Sequence, residues 1–221
     1  MDQLSTVAIF AVPVIVAITL HEAAHGFVAR HFGDDTAAKA GRVTLNPLKH
    51  VDLFGTILLP AFLLLTKTGF LFGWAKPVPV DFGALRHPKR DMIWVAGAGP
   101  AMNILLALVS VALLFVVERL GAASPRWLAA MFASSIEINL VLAVLNLLPI
   151  PPLDGSKVAV GLLPPSLAVP FWRLSRFGMI FVLILFFIAP LLGIDAFGWL
   201  VARPVNFLER PVVALLGQPG R

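Results

Sequence analysis

"MIWVAGAGPAMNILLALVSVALLFVV", residues 92–117, contains no charged side chain. A helix needs about 20 such residues to cross the hydrocarbon core of a bilayer, so this run is long enough to span one. The chain as a whole has the same character. Of its 221 residues 59% are hydrophobic and only 13% charged, and the mean hydropathy is +0.92. Composition of this kind excludes an ordinary soluble domain and defines an integral membrane protein.

Working outward from residue 92, the apolar periodic segments are 6–31, a proline-broken stretch from Phe54 to Trp74, 91–118, 127–148 and 170–192. The first of these could be mistaken for a secretory signal, but Asp2 stands where a basic region belongs, so 6–31 is read as a true helix that Pro13 bends. The piece 196–216 carries Arg203, Glu209, Arg210 and two prolines. Such a piece suits an interfacial or re-entrant element better than a clean span. No internal repeat or polar linker divides the chain. The expected fold class is therefore all-α: a polytopic transmembrane helix bundle with a re-entrant hairpin and short extended segments, forming a single integral-membrane domain over residues 1–221.

The net charge of +5 and a pI near 10.2 could suggest nucleic acid. The basic residues, however, are scattered singly over short loops, which fits contact with anionic lipid in a bilayer, and no nucleic-acid partner is expected. With no cysteine, any metal must be held by nitrogen and oxygen ligands.

"ITLHEAAHGF", residues 18–27, places His21, Glu22 and His25 at the end of an oily helix. Residues four apart share a helix face, so His21 and His25 can present two imidazoles to one ion, with Glu22 beside them. A lone helical histidine is more often a hydrogen-bonded core residue. Three ionisable groups are different, because each costs about 2.5 to 3.5 kcal/mol on insertion scales, and an unused cluster would go uncompensated. A catalytic zinc site also needs a third protein ligand. Asp34, Asp35, Asp52, Glu137 and Asp154 are the candidates. Asp34 and Asp35 read as solvated turn residues, and Glu137 as a costly mid-span acid paired with an arginine or a polar helix neighbour. Asp154 has the best context, since Pro149, Pro151 and Pro152 force an extended chain and Gly155 permits a sharp turn after it; the alternative is a simple helix cap.

"HEAAH" (21–25), "AGPAMN" (98–103) and "NLLPIPPLDG" (146–155) together resemble the site-2 protease family of intramembrane zinc metalloproteases, in the order and approximate spacing that family uses. "GRVTLNPLKHVDLFGT" (41–56) and "GWAKPVPVD" (73–81) are similar to its compact branch, which lacks a PDZ domain. The resemblance implies that His21, His25 and Asp154 hold Zn²⁺ and that Glu22 is the general base. It further implies that Asn146 holds the substrate backbone or the oxyanion, with Asn103 and Asn139 supporting the site or simply joining helices. The implied substrate is a transmembrane protein, cut in or near its membrane segment. Asp81 departs from the asparagine expected there, and Asp154 is followed by Gly-Ser rather than Gly-Gly.

If His25 and Asp154 meet at one depth, segments 6–31 and 127–148 must run in the same direction, with 91–118 antiparallel to both. Phe54 to Trp74 then cannot be a single full crossing. Bases flank it on both sides (Arg42 and Lys49 before, Lys76, Arg86, Lys89 and Arg90 after), so both ends belong in the cytoplasm and the segment is a re-entrant hairpin. The active site then lies towards the cytoplasmic side of a cell membrane. "KPVPV" (76–80) and "GRVTL" (41–45) could offer an extended edge to an unwound substrate by strand addition. Two other readings compete with this one: a zinc-binding membrane transporter and a catalytically inactive membrane adaptor.

Overall fold

The computed structural model describes residues 3–58, 62, 75–121 and 124–216. Four of its helices are long and apolar enough to cross a membrane: Ile9–His31, Pro88–Leu120, Arg126–Leu147 and Pro165–Leu191. In chain order the elements are α1 (Gln3–His31), α2 (Pro88–Leu120), α3 (Arg126–Leu147), the short α4 (Asp154–Leu162), α5 (Pro165–Leu191) and α6 (Arg203–Leu216). No β-strand occurs among the described residues.

These boundaries follow local chemistry. α2 begins at Pro88, whose fixed φ and missing N–H suit a first helical position, and the Asp91 carboxylate reaches back to the His87 N–H at 2.8 Å. α5 starts at Pro165, ahead of the expected residue 170, for the same reason. Within α5 a 3₁₀ turn at Ser175–Phe177 and a π turn at Ile184–Ile188 interrupt the α geometry without breaking the rod. Pro13 lies inside α1.

Residue pairings fix the directions of the helices. Asn103 of α2 reaches the Ala17 carbonyl and His21 of α1, while Val95, earlier in α2, meets the later His25, so α1 and α2 are antiparallel. Asn103 pairs with Asn139 and Ser110 with Ser135, so α2 and α3 are antiparallel as well. Thus α1 and α3 run in the same direction, as the sequence argument required. The interhelical contacts are lined by small side chains, including the buried Ala17, Ala23, Ala24, Ala96, Ala107 and Ala143. Where lipid is as apolar as leucine, close approach of small residues and buried hydrogen bonds hold helices together. Large apolar side chains such as Leu105, Leu108, Ile180 and Phe181 face outward, as lipid contact demands.

The turn Gly198–Ala202 and α6 join the bundle through the buried Val201 and Val205, which pack with Ala107, Leu114, Ile136 and Leu140 of α2 and α3. This brings Glu209 towards Glu137. Burial and the Glu137 carboxylate push the Glu209 carboxyl above its ordinary pKa. The expected pairing of Glu137 with an arginine does not form: among the described residues it has no ion pair, and its side chain lies on the exposed face of α3.

The core of the stretch Phe54 to Trp74, including the expected hairpin turn, lies outside the described residues. Its flanks do meet, because the Lys76 N–H donates to the His50 carbonyl at 2.9 Å. The chain therefore leaves and returns at one place.

Candidate metal centre

Beyond residue 75 the chain forms a strap, 75–81, that lies along the C-terminal half of α1. Three hydrogen bonds pin the strap and the residues after it: Val78 N–H to Glu22 Oε2 at 2.8 Å, Asp81 N–H to Asp34 Oδ2 at 2.8 Å, and Arg86 N–H to the Phe32 carbonyl at 3.0 Å. Beneath them Ala29, Leu85 and Val95 form a small apolar core with Phe32, Val80 and Phe82. Asp34 corrects the sequence reading. Its side chain is 0% exposed rather than solvated, because each carboxylate oxygen takes a backbone N–H, from Thr36 and from Asp81. Burial opposes its charge, but those N–H groups and Lys39 hold Asp34 below the usual carboxylate range. Asp35 is exposed beside Arg30, and Asp52 caps the turn that begins at Leu53.

The strap's own donors are largely committed. Lys76, Val78 and Asp81 donate inward, and Pro77 and Pro79 have no N–H. Those three donors are not free for a substrate strand, which leaves the Val80 N–H and the strap's carbonyls for one.

His21 and His25 sit one turn apart on the buried face of α1, and Asp154 comes to them from the first turn of α4. His21 Nε2 lies 3.2 Å and His25 Nε2 3.0 Å from Asp154 Oδ2, and the two Nε2 atoms are 3.1 Å apart. All three side chains are buried. Asp154 does not cap its helix; Lys157, one turn on, donates to Asp154 Oδ1 at 2.8 Å and leaves Oδ2 facing the imidazoles. Gly155 makes this entry possible. An added Cβ there would fall 2.2 Å from the Leu147 carbonyl oxygen, so only glycine lets α4 turn so close to the end of α3.

The other ring nitrogens are anchored from α2. His25 Nδ1 lies 2.7 Å from the Val95 carbonyl, and His21 Nδ1 2.5 Å from Asn103 Oδ1. Val95, Gly99 and Asn103 follow one another at four-residue spacing on one face of α2. Gly99 lies between them, where a Cβ would sit 2.5 Å from both Nε2 atoms. The glycine therefore leaves room where the ligand atoms converge.

This donor set fits a metal ion. With each Nδ1–H given to an acceptor, a neutral ring carries its lone pair on Nε2. Two lone pairs and a carboxylate oxygen within 3.2 Å of one another repel unless a cation lies among them. Nitrogen, nitrogen and oxygen on a hydrogen-bonded outer layer is the ligand chemistry of a catalytic zinc site. Among the described residues this is the one group of three that could hold a metal.

The three residues open onto a cavity of about 650 Å³, also lined by Glu22, Val78, Asn146, Lys157 and Met179. Asn146, expected to touch substrate, faces this cavity, with its amide donating to the Leu142 carbonyl one turn back at 3.0 Å. The sequence reading did not find Lys157, Gly99 or the Val95 carbonyl. The Asp-to-Lys i+3 spacing signalled the first; a backbone carbonyl leaves no mark in the sequence.

Helices that bury two imidazoles and a carboxylate, with a half-buried glutamate next to them, beside a cavity define a membrane-embedded metallopeptidase-type centre. The sequence pattern of Peptidase family M50 matches residues 9–124, and the chain belongs to that family. It is 41% identical over 192 residues to "Putative zinc metalloprotease YwhC" of Bacillus subtilis (strain 168), covering 85% of this chain and 84% of that protein. Rip2 of Mycobacterium tuberculosis (strain ATCC 25618 / H37Rv), named in the same terms, is 32% identical over 188 residues, 84% of this chain and 67% of its own length. Rip2 of Mycolicibacterium smegmatis (strain ATCC 700084 / mc(2)155) is 31% identical over 186 residues, 82% of this chain and 69% of its own. No solved structure matches the chain.

Proposed function

We propose that this chain is an intramembrane zinc metalloprotease that hydrolyses peptide bonds in or beside the transmembrane segments of other membrane proteins. The convergence of His21 Nε2, His25 Nε2 and Asp154 Oδ2 carries this reading, together with the family and with relatives named for zinc-dependent proteolysis. His21, His25 and Asp154 hold the ion. Zinc so held lowers the pKa of a water to near neutrality and polarises a carbonyl.

The chain's own residues do the rest. Glu22, fixed at Oε2 by the Val78 N–H, accepts the water's proton on Oε1 and returns it to the leaving amine. Asn146 supports the carbonyl oxygen as charge develops on it, from a position lining the same cavity. A scissile bond inside a helix is shielded by its own hydrogen bonds, so the substrate must unwind before attack, and the strap offers carbonyls as acceptors for its freed N–H groups. The cavity admits water from the cytoplasmic side, a reading supported by the basic residues around both ends of segment 54–74. We take residues 1–221 as a single domain.

Bound zinc and cleavage of a single-span substrate, measured on the detergent-solubilised wild type and on Glu22→Gln, test the assignment. Glu22→Gln should keep its metal and lose cleavage by about 10² to 10⁴-fold. A variant that cleaves normally rules out the mechanism. Zinc movement across vesicles would favour a transporter, and a wild type that never cleaves would favour an adaptor.

A further inference from the structure

His25 takes its orientation directly from a backbone carbonyl, but His21 depends on two side-chain amides, and an amide can turn over. The Asn103 amide nitrogen donates to Asn139 Oδ1 at 2.9 Å and approaches the Ala17 carbonyl at 3.4 Å. The Asn139 amide nitrogen in turn donates to the Ser135 carbonyl at 2.8 Å. Both asparagines are at most 1% exposed.

Only one assignment of donors satisfies this chain. A main-chain carbonyl can only accept, so Asn139 must aim its NH₂ at Ser135 and its oxygen at Asn103. Asn103 must then aim its NH₂ at Asn139 and its oxygen at His21, so the neutral His21 ring must carry its proton on Nδ1. Nε2 is left with the lone pair, aimed at His25 and Asp154. Released from Asn139, the Asn103 NH₂ keeps only the long 3.4 Å contact to the Ala17 carbonyl, so the amide can rotate and offer NH₂ to His21, which would stabilise the other tautomer and block Nε2.

We propose that Asn139 is a positioning residue that sets the ring tautomer of His21 through Asn103, so that α3 prepares a ligand carried by α1. The role rests on the assignment of His21 as a metal ligand.

The test uses the full chain in detergent, with ¹⁵N in the histidine rings to report which ring nitrogen carries the proton. Zinc affinity is measured alongside by chelator competition. The zinc-free wild type should hold His21 as the Nδ1–H tautomer. Asn139→Leu should give a mixture at His21 but not at His25, and should weaken zinc about 10 to 100-fold. Asn139→Asp should restore both, because a carboxyl oxygen there still accepts from the Asn103 NH₂, the contact that orients Asn103. Unchanged His21 signals and zinc affinity in folded Asn139→Leu would overturn the proposal. If that variant does not fold, an Nε2–H His21 in the wild type would overturn it equally. Wild type with the expected tautomer but no zinc binding would instead defeat the metal assignment and leave the relay standing.

Discussion

The Val78 N–H donates to Glu22 Oε2 at 2.8 Å, tying the strap to the acid beside the two histidines. A glutamate on a membrane helix has three rotatable torsions, and this bond removes much of their freedom. Val78→Pro deletes the donor while leaving His21, His25 and Asp154 untouched. Turnover should fall by about tenfold or more, within the range a positioned general base contributes, with bound zinc unchanged. Equal turnover in parallel cleavage and metal assays would show that the anchor is dispensable.

Gly99 should tolerate no side chain. A methyl group 2.5 Å from both Nε2 atoms cannot fit, and it would displace the imidazoles from each other and from Asp154. Gly99→Ala should abolish stoichiometric zinc, read by atomic emission on purified protein. Gly97→Ala, where an added Cβ meets nothing within 4 Å, should retain it.

Lys157 holds Asp154 Oδ1 and turns Oδ2 towards the histidines. Lys157→Met removes that hold and should weaken zinc about 10 to 100-fold, the usual cost of losing an outer-layer partner. Lys157→Arg keeps a donor and should lose much less.

Asp34 makes stability depend on pH. Its folded pKa lies below the ordinary carboxylate value, so its contribution is complete above about pH 4 and is lost as pH falls through the folded value. Asp34→Asn should cost about 1 to 3 kcal/mol near neutrality, because an amide cannot accept from both Thr36 and Asp81. Thermal unfolding in detergent should show the gap between variant and wild type closing as the solution is made acidic.

The chain has no cysteine, so one introduced at the exposed Ala84 reports on topology alone. Labelling of Ala84→Cys should occur from the cytoplasmic face in sealed membranes. Labelling from the opposite face would reverse the orientation argued from the basic flanks.

Much of this molecule was legible in its sequence. The spans could be read because lipid imposes a length and an apolarity on every crossing, and that demand is met locally. His21, Glu22 and His25 could be read because helical spacing alone puts them on one face, and the price of burying them demands a use. The shared direction of α1 and α3 followed from requiring His25 and Asp154 to meet. Asp34 was misread because a Gly-Asp-Asp turn is ordinarily solvated; only the arrival of Asp81, 47 positions later, buries it. Tertiary structure alone decided that the Val95 carbonyl and Gly99 face the histidines and that the Val78 N–H restrains Glu22. Each of these depends on a carbonyl, an N–H or an empty volume contributed by a distant segment. Such groups are the same at every residue, so no pattern in the sequence distinguishes the ones the fold will use.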